Sequence, residues 1–135
     1  MIKKLGLACV LAAGSAAVQA QDLSAVDCSN TVTQLEMNAC AEQDWMAADA
    51  DLNAAYGAAL AVMQDLDAAL PRSARGAEAN LRKAQRAWIT YRDAACAAEG
   101  YAMRGGSAEP LLIYGCRARL TAERTQNLIL LSNVL

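Results

Sequence analysis

The sequence predicts an all-α fold, a small antiparallel bundle of three to four helices stapled by two disulfides. Three observations carry that expectation. Alanine fills 26 of residues 21–135, phenylalanine is absent, and valine and isoleucine are sparse, a balance that favours helix over strand. Leucine, methionine and aromatic residues recur at three- and four-residue spacing, which gathers them on helix faces. Four cysteines remain once an N-terminal leader is set aside, an even number that an oxidising compartment turns into two bridges.

The leader comes first. Residues 1–20 read as a signal peptide, with Lys3 and Lys4 at the start, an apolar stretch from Leu5 to Val18, and the small-residue cleavage signal Val18-Gln19-Ala20. Gly6, Gly14 and Ser15 interrupt the apolar stretch, which falls short of the ~20 residues that span a bilayer, so no integral membrane anchor is expected. Cys9 has Gly6 three positions before it, where a lipoprotein signal carries leucine. The product is therefore expected to be periplasmic or secreted, a single domain of residues 21–135.

The first helix starts at Thr33-Gln34-Leu35-Glu36, a capping box in which the Thr33 hydroxyl and the Glu36 carboxylate satisfy backbone donors. It runs towards Pro71, with Leu52, Tyr56, Leu60, Met63, Leu66 and Leu70 on one face; a break near Gln43, with Asp44 capping a second segment, is an alternative. Residues 71–76 form a short connection. The next helix carries Leu81, Ala84, Trp88, Tyr91 and Ala95 along one stripe and stops at Gly100. Residues Tyr101 to Glu109 read as a loop, and Pro110 suits the first position of a last helix bearing Leu112, Cys116, Leu120, Leu128 and Leu131. Short connections make neighbouring helices antiparallel.

Helix arithmetic bears on the pairing of Cys28, Cys40, Cys96 and Cys116. If the first two helices turn near residue 72, Cys96 lies level with about residue 49, and Cys40 lies roughly 14 Å further along the axis, beyond disulfide reach. A straight first helix thus favours Cys28 with Cys40 and Cys96 with Cys116. A break near Gln43 would let the N-terminal segment fold over and pair crosswise. The spacings contain no C-x-x-C pair, which argues against a zinc site.

Composition also excludes chemistry. Histidine is absent, which removes the usual general base, the Ser-His and Cys-His nucleophile pairs and imidazole ligands. Asp49-Ala50-Asp51-Leu52-Asn53 opens like a calcium loop, but Ala54 stands where that loop needs glycine and Leu60 where it needs a bidentate glutamate. No catalytic residue, metal or cofactor is expected, and nothing in the pattern sets an oligomeric state. Without Lys3 and Lys4, ten basic and fourteen acidic residues give a net charge of −4. Residues 21–70 hold nine acidic residues and no Lys or Arg, whereas residues 71–135 hold ten basic and five acidic. The asymmetry fits either mutual neutralisation between helices or an acidic face that steers a basic protein partner, and it disfavours nucleic acid.

By the antiparallel register, Asp49 and Asn53 face Arg92, while Thr121 and Arg124 lie near Trp88 and Gln85. With Tyr91 and Asp93 these form an expected polar layer inside the bundle, whose primary role is to fix helix register. The loop Tyr101, Arg104, Gly105, Gly106 and Ser107 is the candidate partner-binding segment, set against the plainer reading of a flexible connection.

The ordered residues Thr33, Glu36, Cys40, Ala48-Asp49, Leu52-Asn53 and Tyr56, then Leu81, Gln85, Trp88, Tyr91-Arg92-Asp93 and Cys96, then Gly106-Ser107, Cys116, Thr121, Arg124 and Leu128 resemble the LprI-type lysozyme inhibitor family. The resemblance runs from Cys28 to about Leu131. It implies a small exported helical domain, non-enzymatic, that binds and inhibits a lysozyme-like peptidoglycan glycosidase. A cell-envelope interaction or stress-adaptor domain without effect on lysozyme is the alternative. Common lysozymes are basic and work through carboxylates, so an acidic protein presenting Arg104 and Ser107 is suited to approach their cleft.

Overall fold

The computed structural model describes residues 26–134, with side chains described to residue 133; the expected leader and Cys9 lie outside these residues. Three helices form the bundle: α1 (Gln34–Ala69), α2 (Ala77–Gly100) and α3 (Glu109–Val134). At 1.5 Å per residue α1 spans about 54 Å and α2 about 36 Å, so α1 is the spine on which the other two lie. The capping box forms as the sequence predicts: Thr33 Oγ1 accepts from Glu36 N at 3.2 Å, and Glu36 Oε2 accepts from Thr33 N at 2.8 Å and Val32 N at 2.9 Å. These backbone donors hold the Glu36 carboxyl below its ordinary pKa.

The alternative of a break near Gln43 is corrected, since α1 continues through it and Asp44 caps nothing. Neither glycine nor proline occurs between residues 34 and 56, and Ala39, Cys40 and Ala41 are buried just ahead of Gln43, so propensity and packing both carry the helix onward. The straight helix has the disulfide consequence reasoned above. Cys28 joins Cys40, and Cys96 joins Cys116, with the second bridge inside the bundle.

At the α1–α2 turn Leu70 is extended before Pro71, and Arg72–Ala74 make one 3₁₀ turn. Gly76 precedes α2 and brings no capping side chain of its own. Asp67, from the last turn of α1, supplies it: its carboxylate accepts from the backbone N–H of Gly76, Ala77 and Glu78 at 2.8, 3.0 and 3.1 Å. Three donors at a helix N-terminus hold this carboxyl below its ordinary pKa.

The core gathers Leu52, Ala55, Ala59 and Met63 of α1 with Leu81 of α2 and Leu128 of α3. The contact of α1 with α3 is the most extensive and that of α1 with α2 the thinnest, which leaves a cleft on the α1–α2 side. Two stripes need correction. Leu70 is 39% exposed, off the core face, because it ends the helix in an extended conformation. On α2 the buried line is Leu81, Gln85, Arg92 and Cys96 with Trp88 half-buried, while Ala84 and Tyr91 face water. Steps of three and four set that line; Tyr91, one residue before Arg92, is turned about 100° away from it.

α2 does end at Gly100, but not through a left-handed glycine cap, and the glycine serves packing instead. Its φ is −60°, and a Cβ there would stand 2.6 Å from Ile113 Cγ1, so the glycine allows α3 to approach. The chain passes through a 3₁₀ turn at Tyr101–Met103, and α3 begins at Glu109, which places Pro110 in the first turn, where a missing N–H leaves no hydrogen bond unmade. Among the described residues no helix is long and apolar enough to cross a membrane.

Candidate functional site

Beneath the α2–α3 loop the bundle interior is polar and aromatic. Arg92 is 6% exposed and bonds to all three helices. Its Nη1 donates to Asp49 Oδ1 of α1 at 3.2 Å and to Thr121 Oγ1 of α3 at 3.4 Å, and its Nε donates to Asp93 Oδ1 at 3.0 Å. Its guanidinium also lies 5.1 Å from the Trp88 ring centroid and 5.5 Å from that of Trp45. A buried arginine with two carboxylates, a hydroxyl and two rings is well satisfied, which is the condition for keeping it charged inside a small protein.

The layer extends towards the loop through residues that sequence reasoning missed. Arg117 stands 4.8 Å over Trp45, and Trp45 stacks on Tyr114 with centroids 5.7 Å apart. Arg117 Nε is 3.4 Å from Asp93 Oδ1, close enough for an ion pair but not aligned as a hydrogen bond. Burial, and secondarily the nearby Glu42 carboxylate, push the Tyr114 phenol above its ordinary pKa. Trp45 lies four residues before Asp49 on the same face of α1, a signal that could have found it. Tyr114 and Arg117 depend on the rotation of α3 about its axis.

Of the residues expected in the layer, Asp49, Trp88, Arg92, Asp93 and Thr121 come together. Gln85 and Arg124 form a second pair, with Arg124 Nε donating to Gln85 Oε1 at 3.0 Å. Burial lowers the Arg124 pKa. Asn53 stays exposed and donates to Asp49 Oδ2 at 3.3 Å, and Tyr91, at 61% exposure, is outside the layer.

The loop itself is built around Glu109. One carboxylate oxygen accepts from Arg104 Nη1 at 2.7 Å and the other from Gly105 N at 2.8 Å. The Gly105 N–H, and then Arg104, hold the Glu109 carboxyl below its ordinary pKa. Gly105 has φ 78°, a conformation that side-chain-bearing residues rarely adopt, and it lets the chain reverse over Glu109. Arg104 lies 4.8 Å over the Tyr101 ring, Gly106 N donates to Met103 O at 2.9 Å, and Asn38 Nδ2 of α1 donates to Ser107 O at 2.9 Å. The segment is fastened at both ends and in its middle.

That fastening displays apolar groups. Tyr101 and Met103 are 63% and 51% exposed, and Val32 and Leu35 at the start of α1 are also exposed at this end of the bundle. Beside them a depression of about 480 Å³ opens between Gly105, Glu109, Ile113, Tyr114 and Arg117. Arg104 uses Nη1 for Glu109, and its side chain remains 63% exposed.

The charge asymmetry takes a definite form. Of the acidic residues of α1, only Asp49 makes an ion pair with α2 or α3; every other ion pair among the described residues lies within residues 71–135. Asp44, Asp51 and Asp65, spaced by seven and fourteen, make one exposed acidic stripe without cationic partners among the described residues.

A family model described as lysozyme inhibitor LprI matches residues 26–128 of this chain. A curated relative, an uncharacterized protein of Rhizobium meliloti (strain 1021), is 49% identical over a stretch that covers 76% of each chain. No solved structure matches.

Proposed function

Because the chain belongs to the LprI lysozyme inhibitor family, we propose that it is an exported, non-enzymatic protein that binds and inhibits a lysozyme-like peptidoglycan glycosidase. The observation that carries this reading is the match of a lysozyme-inhibitor family model to residues 26–128, nearly all of the described chain. The loop supports it. Tyr101, Met103 and Arg104 form a tip of aromatic, thioether and guanidinium groups, the kinds of side chain that anchor protein interfaces, on a backbone already ordered before binding. The exposed stripe of Asp44, Asp51 and Asp65 supplies attraction for a basic glycosidase. In this reading the free Arg104 nitrogens approach a carboxylate of the enzyme's cleft, and the depression beside the loop receives a side chain from its rim.

Two disulfides and residues 1–20 fit export to the periplasm or medium, where such an enzyme acts. The test is lysis of a peptidoglycan suspension by chicken-type and goose-type lysozymes, with the oxidised protein titrated in at low and high salt. Stoichiometric protection that weakens with salt is expected. Absence of protection against both enzymes would overturn the inhibitor reading in favour of an envelope adaptor.

A further inference from the structure

The thin α1–α2 contact leaves a cleft of about 370 Å³ on the side of the bundle away from α3. Its size is at the small end for ligand pockets, enough for one sugar ring. Its apolar parts are Leu52 at the floor with Tyr56 and Ile89 beside it. Its polar parts are mostly donors. Gln85, 8% exposed, lines the cleft and has its oxygen taken by Arg124, while its amide nitrogen has no partner among the described residues. Asn53 and Asp49 stand on the opposite wall as a mixed donor and acceptor pair.

The charges of the cleft balance except at one point. Arg92 is matched by Asp49 and Asp93, and Arg82 by Glu78 at 2.7 Å. Arg86, at the rim, makes no ion pair among the described residues. One unmatched guanidinium, an unused amide donor, a carboxylate and amide pair, and an aromatic ring together fit a hydroxylated ring carrying a single carboxylate. We infer that this cleft is a binding site for a monosaccharide acid, with Arg86 taking the carboxylate, Gln85, Asn53 and Asp49 the hydroxyl or amide groups, and Tyr56 one face of the ring. The site is separate from the loop and does not depend on how the loop is used.

The test is ligand-observed NMR and calorimetry on the oxidised protein with N-acetylmuramic acid, glucuronic acid and, as the neutral control, N-acetylglucosamine. At least one acid is expected to bind with Kd of about 1 mM and at least about tenfold more tightly than the control; which acid binds identifies the source of the carboxylate. Arg86→Ala should weaken the acid about tenfold, and Arg86→Lys should recover part of the loss. Arg72→Ala, outside the cleft, should change nothing. Arg86 is exposed and bonds to no carboxylate, so its variants keep the wild-type melting temperature. Equal binding of acid and neutral sugars, no binding by any of them, or unchanged affinity in Arg86→Ala would each overturn the site.

Discussion

The two ends of the bundle are held together by different chemistry. Near the α1–α2 turn the contacts are leucine, methionine and alanine, with Leu52, Ala59, Met63, Leu81 and Leu128 closing an apolar core. Under the α2–α3 loop the bundle relies on two disulfides, the Arg92 network and the stack of Trp45 with Tyr114 and Arg117. The difference follows from what each end presents. The loop end leaves Tyr101, Met103, Val32 and Leu35 in water, so those side chains cannot also hold it closed; directional and covalent links do so instead. Apolar packing stabilises the fold, and the polar end keeps a surface in one shape.

The largest expected effect comes from removing the internal bridge. Cys96→Ala with Cys116→Ala should lower stability by about 3 kcal/mol or more, because it releases the loop and also leaves a cavity at two buried positions. Cys28→Ala with Cys40→Ala should cost less, since that bridge closes a shorter segment and Cys28 is exposed. Urea unfolding of the two double variants measures the gap; a greater loss for the exposed pair would break the comparison between ends.

Arg92→Leu is next. Removing a side chain that bonds to all three helices takes the cationic partner from Asp49, leaves Asp93 with Arg117 alone and takes the guanidinium from two indole rings, an expected loss of about 2 to 4 kcal/mol by thermal unfolding. Gly100→Ala tests close approach at the loop end alone: its Cβ meets Ile113, and a loss of about 1 to 3 kcal/mol is expected, with shifts of α3 resonances around Ile113. A neutral or stabilising result would mean that Ile113 moves aside freely.

The acid response is the smallest effect and touches both ends. Glu36, Asp67 and Glu109 have carboxyl pKa values lowered by folding, so their contribution is present above the ordinary carboxylate pKa of about 4 and is lost as pH falls through the lower folded values. Melting temperature should be level from pH 7 to about 5 and fall below about 4. Asp67→Asn should remove part of that fall, because it deletes the charged cap of α2 while leaving the loop intact.

What was legible in the sequence was local or followed from helix register. The capping box at Thr33 and Glu36 needs four residues, the pairing of Asp49 with Arg92 follows from where α1 and α2 turn, and that of Gln85 with Arg124 from where α2 and α3 turn. The disulfide pairing followed once α1 was known to be straight, which the sequence left open between two routes. The apolar and aromatic residues of α2 trace a stripe through Ala84 and Tyr91, whereas the buried line runs one residue later, through the polar Gln85 and Arg92. Asp67 caps a helix across a turn, and Tyr114 and Arg117 meet Trp45 only through the rotation of α3. Neither has a signature in linear spacing. The role of Glu109 in gripping Arg104 and Gly105 was likewise hidden, since an acidic residue before a proline reads simply as the start of a helix.

In the proposed reading the fastened loop is the inhibitory surface. Lysozyme-driven lysis of peptidoglycan should be compared for the oxidised protein and for a variant carrying Tyr101→Ala, Met103→Ala and Arg104→Ala, with circular dichroism and melting to show that the variant is folded. Protection by the wild type that falls at least tenfold in potency in the folded variant is the predicted result. Equal protection by both proteins would contradict the claim and transfer the binding surface to the acidic stripe of α1.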